Sequence, residues 1–323
     1  MPKVVSLDQH GGPENFNIRQ QDLAAPESGE IQLRHTAIGL NFIDIYKRTG
    51  LYPVSLPAIL GSEAAGVVEA VGDKVDGFKP GDRVAYIGAG GAYAERANIP
   101  AALAAIIPDA VGDDAAAAIF LKGLTVEMLV RQVFVLKPGD RCLVWAAAGG
   151  VGTLLCQWAN HIGAEIIAVV GSPDKVATAK EAGADHVIDR STEASITEKV
   201  RSLTGGQGVN VVYDSVGQAT FETSLDCLSP LGHMVTFGNA SGPVPPIAPL
   251  ALSSRGSLTL TRPTLFHYAT PDRLPQMATN LFDLVANGAI KPKIGHQYAL
   301  DDVGEAHRLL ESGKSIGAII IKP

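Results

Sequence analysis

The sequence predicts an α/β protein built from a doubly wound parallel sheet and a second, β-rich unit. Three observations point there. From Arg141 onward, apolar runs of strand length alternate with helical patterns. A glycine-rich turn, Ala147-Ala148-Gly149-Gly150-Val151-Gly152, joins the first of those strands to its helix. The first hundred residues read instead as short strands cut by Gly and Pro. At 323 residues the chain is long enough for about two domains, each with its own core. A share of 46% apolar and 18% charged residues excludes a disordered chain.

Apolar or alternating runs at 4–7, 30–37, 66–71 and 83–87 are separated by Gly11-Gly12-Pro13, Pro26, Pro53, Pro57, Gly72 and Pro80-Gly81-Asp82. That spacing suits a compact barrel-like or sandwich unit. From about Asp109 the character changes. Residues 113–120 are alanine-rich and helical, and 121–136 continue as a helix until Lys137-Pro138-Gly139-Asp140 breaks it. A strand at 141–146 then enters the glycine turn. After it Val151, Leu154, Leu155, Trp158, Ala159 and Ile162 repeat at helical spacing on one face. Residues 166–170 form a continuous apolar strand, as in a parallel sheet covered on both faces. A helix at 173–182, a strand at 186–188, a helix at 196–203, a strand at 209–213, a helix at 220–228 and strands at 233–237 and 257–260 complete the alternation. Beyond 265, helices at 274–287 and 301–312 and a strand at 316–321 read as a return to the first unit. The expected domains are therefore 1–121 with 265–323, and an inserted 122–264.

A net charge of −7 and 6% aromatic residues argue against a nucleic-acid backbone or a base-stacking surface as partner. They leave room for a local basic pocket around one small phosphate ligand. The N-terminus meets a charge within its first residues, and no apolar run approaches the ~20 residues of a membrane span. A cytoplasmic protein without a membrane segment is expected. Cys142, Cys156 and Cys227 form no CxxC and read as small buried hydrophobes. The histidines show neither HxH nor HxxxH spacing, so no metal site is expected. No G-x-S-x-G nucleophile elbow is expected, and Ser62 and Ser215 read as structural or ligand-contacting rather than nucleophilic.

The glycine turn has the strand-turn-helix context that a dinucleotide cradle requires. Ala147 holds the first fingerprint position, and Gly149 and Gly152 the next two. Gly149 lets backbone N–H groups approach a pyrophosphate, and Gly152 lets the helix pack on its strand, with the phosphate at the helix N-terminus. Cofactor choice is read about 20 residues on, where NAD binders place an acid for the ribose. Here stand Gly171-Ser172-Pro173-Asp174-Lys175, with Arg190 ending the next strand. An uncharged strand end with two nearby cations suits a 2′-phosphate, hence NADPH. Asp174 is read as a first-turn acid favoured by the helix dipole rather than a ribose ligand.

Further blocks carry a family resemblance: Gly39-Leu40-Asn41-Phe42-Ile43-Asp44, Gly50-Leu51-Tyr52-Pro53, Gly61-Ser62-Glu63-Ala64-Ala65-Gly66, Phe120-Leu121-Lys122-Gly123-Leu124-Thr125, Tyr213-Asp214-Ser215-Val216-Gly217 and Phe237-Gly238-Asn239-Ala240-Ser241-Gly242. With the cradle they resemble the medium-chain dehydrogenase/reductases. Within these the likeness is to the zinc-independent, zeta-crystallin-like NADPH:quinone oxidoreductases of bacterial type, from Gly11 to the C-terminus. The resemblance implies a GroES-like catalytic domain and a Rossmann domain. It implies hydride transfer from NADPH to a small quinone. By the same resemblance Asn41, Phe42, Ile43, Asp44 and Tyr46 border the nicotinamide, with Lys122 and Thr125 nearby. Gly149, Gly150 and Val151 would meet the pyrophosphate, and Gly171, Ser172, Lys175 and Arg190 the 2′-phosphate end. Ser215, Phe237, Gly238, Ser241 and Arg262 would line the rest. Tyr46 and Tyr52 are candidate substrate contacts through their hydroxyls, or simply packed aromatics at a rim.

Zinc-dependent relatives place a cysteine where this chain has Asn41 and a histidine where it has Ser62, and residues 85–110 contain no cysteine for a structural zinc lobe. Alcohol oxidation would lack its Lewis acid, whereas a quinone is already a strong electrophile. Two other readings stay open: a double-bond reductase acting on enones or enoyl thioesters, and an NADPH-binding protein with an RNA-binding or structural role. Exposed edge strands around 257–260 suggest a homodimer.

Overall fold

Short strands bounded by Gly and Pro build the first part of the chain. The structure, a computed structural model, describes every residue from Met1 to Pro323. In order come β1 (Lys3–Leu7), β2 (Phe16–Gln20), β3 (Glu30–Gly39), α1 (Phe42–Thr49), β4 (Ala58–Ile59), β5 (Glu63–Val71), β6 (Arg83–Ile87), β7 (Arg96–Pro100), β8 (Ala104–Ile106) and α2 (Asp113–Met128). The alternating part follows: β9 (Arg141–Trp145), α3 (Gly150–Ile162), β10 (Glu165–Val170), α4 (Val176–Glu181), β11 (His186–Asp189), α5 (Ile196–Leu203), β12 (Val209–Asp214), α6 (Phe221–Cys227), β13 (Leu228–Thr236), α7 (Leu250–Ser253) and β14 (Thr259–Thr261). The chain ends in α8 (Leu274–Ala286), β15 (Ile294–Ala299), α9 (Val303–Glu311) and β16 (Ala318–Lys322). Two units result. One comprises Met1–Leu124, Ala269–Gly288 and Pro292–Pro323, the other Thr125–Tyr268 and Ala289–Lys291.

In the first unit β2-β1-β4 form a small sheet, and β15-β16-β3-β5-β6-β8 a larger one in which β7 also pairs with β3. Alternation along these strands sends Val5, Leu7, Ile31, Leu33, Val84, Tyr86, Ile319 and Ile321 into one core. Each such aliphatic side chain contributes about 1.5–3 kcal/mol by leaving water. In the second unit the order is β11-β10-β9-β12-β13-β14, and every pairing is parallel. The order reverses between β9 and β12, where a doubly wound sheet opens a crevice at its strand ends. β10 is buried from Ile166 to Val170, as its unbroken apolar run requires. No helix is long and apolar enough to cross a membrane.

Several local expectations needed correction. The helix expected through 136 ends at Met128 in a widened π-turn, Leu129–Val133, with Leu136 N bonded to Val130 O at 2.9 Å. Pro138 disfavours helical backbone at Lys137 and so forbids a helix running past it, but the earlier end lies in the π-turn itself. Ser257 does not start a strand: its φ is +60°, and β14 begins at Thr259. α1 is not evident from the sequence because its four apolar side chains, Phe42, Ile43, Ile45 and Tyr46, make only a two-turn pattern inside strand-like sequence. β2 and β15 are mostly exposed; β2 alternates Phe16 and Ile18 with Asn17 and Arg19, but in a run too short to stand out. The run Gly313-Lys314-Ser315-Ile316-Gly317 has the G-x-S-x-G spacing, but it leads from α9 into β16. A nucleophile elbow needs the reverse, strand into helix.

Candidate active site

In the second unit, β9 runs into Ala146, whose φ is +51°. A residue with a Cβ adopts that conformation at a cost of roughly 1–2 kcal/mol, and such outliers gather at functional sites. Gly149 N donates to Ala146 O at 2.9 Å and closes the turn. Gly149 then caps α3, and the Thr153 hydroxyl donates back to Gly149 O at 3.0 Å. A Cβ on Gly152 would stand 2.3 Å from Ala146 O and 2.7 Å from Ala147 Cα, so no side chain fits there. A Cβ on Gly149 would meet only Ala146 O, at 3.2 Å. Gly150 and Val151 open the helix, where amide N–H groups lack intrahelical acceptors and an anion would be favoured.

At the end of β10, the Arg190 Nε lies 3.7 Å from where a Cβ of Gly171 would be, and Arg190 N bonds Val170 O at 3.0 Å. Ser172 precedes the short turn Pro173–Lys175. The Asp174 carboxyl is held below its ordinary range, first by a hydrogen bond from Ser172 and also by Lys175, and it lies in the first turn. Burial pushes the Lys175 ammonium down, and the Arg190 charge adds to that; Asp174 opposes both. Two cations thus converge around a strand end that carries no side chain.

The loops after β12 and β13 are locked together by Asp214, which the sequence did not single out. Its buried carboxylate accepts from Val216 N (2.8 Å), Gly217 N (3.0 Å), the Thr220 hydroxyl (2.7 Å) and the Ser224 hydroxyl (2.8 Å). A Cβ on Gly238 would lie 2.3 Å from Ser215 O. The Ser241 hydroxyl donates to Val216 O and accepts from Ala219 N, at 2.8 and 2.9 Å. Phe237 N bonds Asp214 O, and Arg262 Nη1 donates to Thr236 O at 3.2 Å.

In the first unit, side chains rather than backbone make the site. Asn41 precedes α1, and its backbone N–H donates to Asp44 Oδ2 at 3.0 Å. Ser62 Oγ donates to Asp44 Oδ1 at 2.6 Å and accepts from Lys47 Nζ at 3.2 Å. Burial raises the Asp44 carboxyl, and the Ser62 hydrogen bond and Lys47 work against that rise. Phe42 and Ile43 are half-buried on the same helix. The Tyr46 ring lies 5.1 Å from Tyr52 and 6.0 Å from Phe42, and Tyr52 N donates to Tyr46 O at 3.0 Å. The two tyrosines are therefore neighbours, as a shared role requires. Glu63, another residue not singled out, opens β5 fully buried. Its Oε1 accepts from Asn41 Nδ2 at 2.8 Å and Lys122 Nζ at 2.6 Å, and its Oε2 from Leu121 N at 2.6 Å. A Cβ on Gly39 would stand 2.3 Å from Glu63 Oε1. Thr125 follows Lys122 by one turn of α2.

A parallel sheet ordered about a central cradle, with a GroES-like sheet unit, defines a medium-chain dehydrogenase/reductase. Family models agree: residues 27–109 match the alcohol dehydrogenase GroES-like domain and residues 150–287 the zinc-binding dehydrogenase family. The chain is 48% identical to a quinone oxidoreductase of Salmonella typhimurium and 46% identical to one of Pseudomonas aeruginosa, each over the full length of both proteins. The crystal structure of Escherichia coli quinone oxidoreductase complexed with NADPH superposes with a TM-score of 0.97 at 46% identity, covering 99% of this chain and 100% of that one. A 2-haloacrylate reductase of a Burkholderia species is 39% identical over 100% of this chain and 99% of its own length. The chain belongs to the quinone oxidoreductase family of medium-chain dehydrogenase/reductases.

The zinc in the family model's description does not fit these residues. The Asn41 amide points its N–H at Glu63, and the Glu63 oxygens are filled by an ammonium and two N–H donors. No group of three His, Cys, Asp or Glu side chains is placed to hold a metal ion. A dinucleotide does fit, at a turn where a Cβ on Gly152 would collide and beside the cations at Gly171.

Proposed function

We propose that the protein is an NADPH-dependent quinone reductase that works without zinc. The observation that carries the cofactor is the convergence of Lys175 and Arg190 beside Gly171, in the same unit as the Ala146–Gly152 turn. Full-length identity of 46–48% to quinone oxidoreductases supports the substrate. When bound, NADPH supplies a hydride from its nicotinamide C4. Gly149, Gly150 and Val151 hold the pyrophosphate, and Gly171, Ser172, Lys175 and Arg190 the 2′-phosphate end. Ser215, Phe237, Gly238, Ser241 and Arg262 line the rest of the cofactor site, with Ser215 in the loop that Asp214 fixes. In the first unit, the segment from Asn41 to Tyr46, with Lys122, serves the nicotinamide, as Thr125 does one turn further along α2. Tyr46 and Tyr52 present hydroxyls to the quinone. The first unit is thus the catalytic one and the second the cofactor-binding one. Anaerobic NADPH oxidation on adding 1,4-benzoquinone tests the activity; a rate no faster than the enzyme-free control rejects it.

The likeness to 2-haloacrylate reductase supports a second reading, reduction of an activated double bond. Turnover of enones in preference to quinones would favour it. We also propose a cytoplasmic homodimer formed along β14, the outer strand of the parallel sheet, near Leu231 and Leu250, which are 77% and 74% exposed. Light scattering that returns the mass of one chain rejects the dimer.

A further inference from the structure

The Lys122–Glu63 ion pair lies with its side chains 5% and 0% exposed, Nζ to Oε1 at 2.6 Å. Two buried charges lose hydration, and an apolar pair of the same volume is often as stable or more so. The pair therefore invites an explanation other than stability. Its two halves are unequally satisfied. Glu63 has donors on both oxygens, from Asn41, Lys122 and Leu121. The Lys122 ammonium has three N–H groups and one protein acceptor, Glu63. Its positive charge is thus fixed in a poorly hydrated place with donors to spare. Glu63 links it to Asn41, the residue that opens the helix carrying Tyr46. These are also the positions, Asn41 and Ser62 with Glu63 beside them, where zinc ligands would be needed and do not fit.

We propose that Lys122 is the electrophilic group of the reaction, and that Glu63 and Asn41 act as positioning residues that aim it. The inference rests on the quinone-reductase reading above. As the C4–H bond of the dihydronicotinamide breaks, its hydride adds to the quinone. The nicotinamide is oxidised, and the quinone takes up the electron pair, leaving one oxygen anionic. The Lys122 ammonium donates a hydrogen bond to that oxygen, and a solvent proton then completes the hydroquinone. A preorganised donor counts most where water is excluded.

The test uses the full-length protein and a neutral pair of similar volume, Lys122→Met with Glu63→Gln. Three quantities are read: NADPH affinity by fluorescence, melting temperature, and kcat on a series of quinones. NADPH affinity is expected to fall much less than kcat, which drops by about 10- to 100-fold or more. The fall is expected to be steeper for methyl-substituted, weakly electrophilic quinones than for 1,4-benzoquinone. Lys122→Arg, which keeps the charge, recovers most of the loss and tests the same slope should the double variant fail to fold. A double variant with wild-type kcat overturns the proposal. So does a loss confined to NADPH affinity, or one equal across the quinone series in both variants. Wild-type protein inert toward every quinone removes the reading beneath the proposal as well, a result distinguishable from either of these.

Discussion

The two units build their candidate sites from different material. In the second, the cradle is backbone: a left-handed Ala146, a turn closed by Gly149 and a Gly152 with no room for a side chain. In the first, the site is a mesh of side chains, with Asp44 and Glu63 buried and tied to Ser62, Asn41 and Lys122. A backbone cradle binds an anion through dipoles whatever its substituents, so its requirements are steric. A side-chain mesh depends on charge state and hydrogen-bond pairing. The second unit should break through shape, the first through chemistry.

Gly152→Val should have the largest effect. Its Cβ would fall 2.3 Å from Ala146 O, and forcing atoms into a packed place costs about 1–3 kcal/mol or more. NADPH affinity, measured by calorimetry, should drop by at least about tenfold; an unchanged affinity would show that the turn is not the cradle. The next effect belongs to the first unit and to pH. Burial lowers the His35 imidazole to about 4, while its hydrogen bond to Ala94 O works the other way. In the unfolded chain it titrates near 6.5. Between these values the unfolded chain binds the proton and the folded one does not. Stability is therefore complete above about 6.5 and lost as pH falls toward 4, by on the order of 3 kcal/mol. His307, lowered to about 3 by burial and by Arg48, acts in the same sense. His35→Gln should show a smaller fall in Tm between pH 7 and 4.5 than the wild type, and an equal fall would refute the assignment.

Lys175→Ala returns the comparison to the second unit. A hydrogen bond to a charged group is worth about 1.5–3 kcal/mol, so NADPH binding should weaken by about 10- to 100-fold with NADH binding little changed. Equal losses for both cofactors would place the 2′-phosphate elsewhere. Ser241→Ala should matter least. It removes the hydroxyl that bridges Val216 O and Ala219 N, worth about 1 kcal/mol, and a Tm lowered by only a few degrees with NADPH affinity reduced a few-fold is the expected reading.

Legibility followed the same divide. The parallel sheet of the second unit could be read from Val144, Val169 and Val212, each set in an apolar run between helical patterns, because a parallel sheet covered on both faces demands such runs, whereas its strand order came only with the fold. The conformation of Ala146 could not, since nothing in an alanine announces a positive φ. In the first unit α1 was hidden, although Asn41, Asp44 and Gly50 carried its start and stop signals. Glu63 was visible within a family block but had no stated role, and Asp214 likewise.

The sequence by itself determined what is local: the glycine turn between β9 and α3, the uncharged end of β10, the alternation that sets the parallel sheet, and the residues other than cysteine and histidine at positions 41 and 62. Only the tertiary structure decided what those residues meet. Glu63 meets Lys122 across 59 positions, Asn41 across 22, and Asp44 meets Ser62 across 18. Periodicity reports which way a residue faces along its own helix or strand. It says nothing of which distant side chain shares its buried pocket, and in that pocket two carboxylates and an ammonium settle where charge resides.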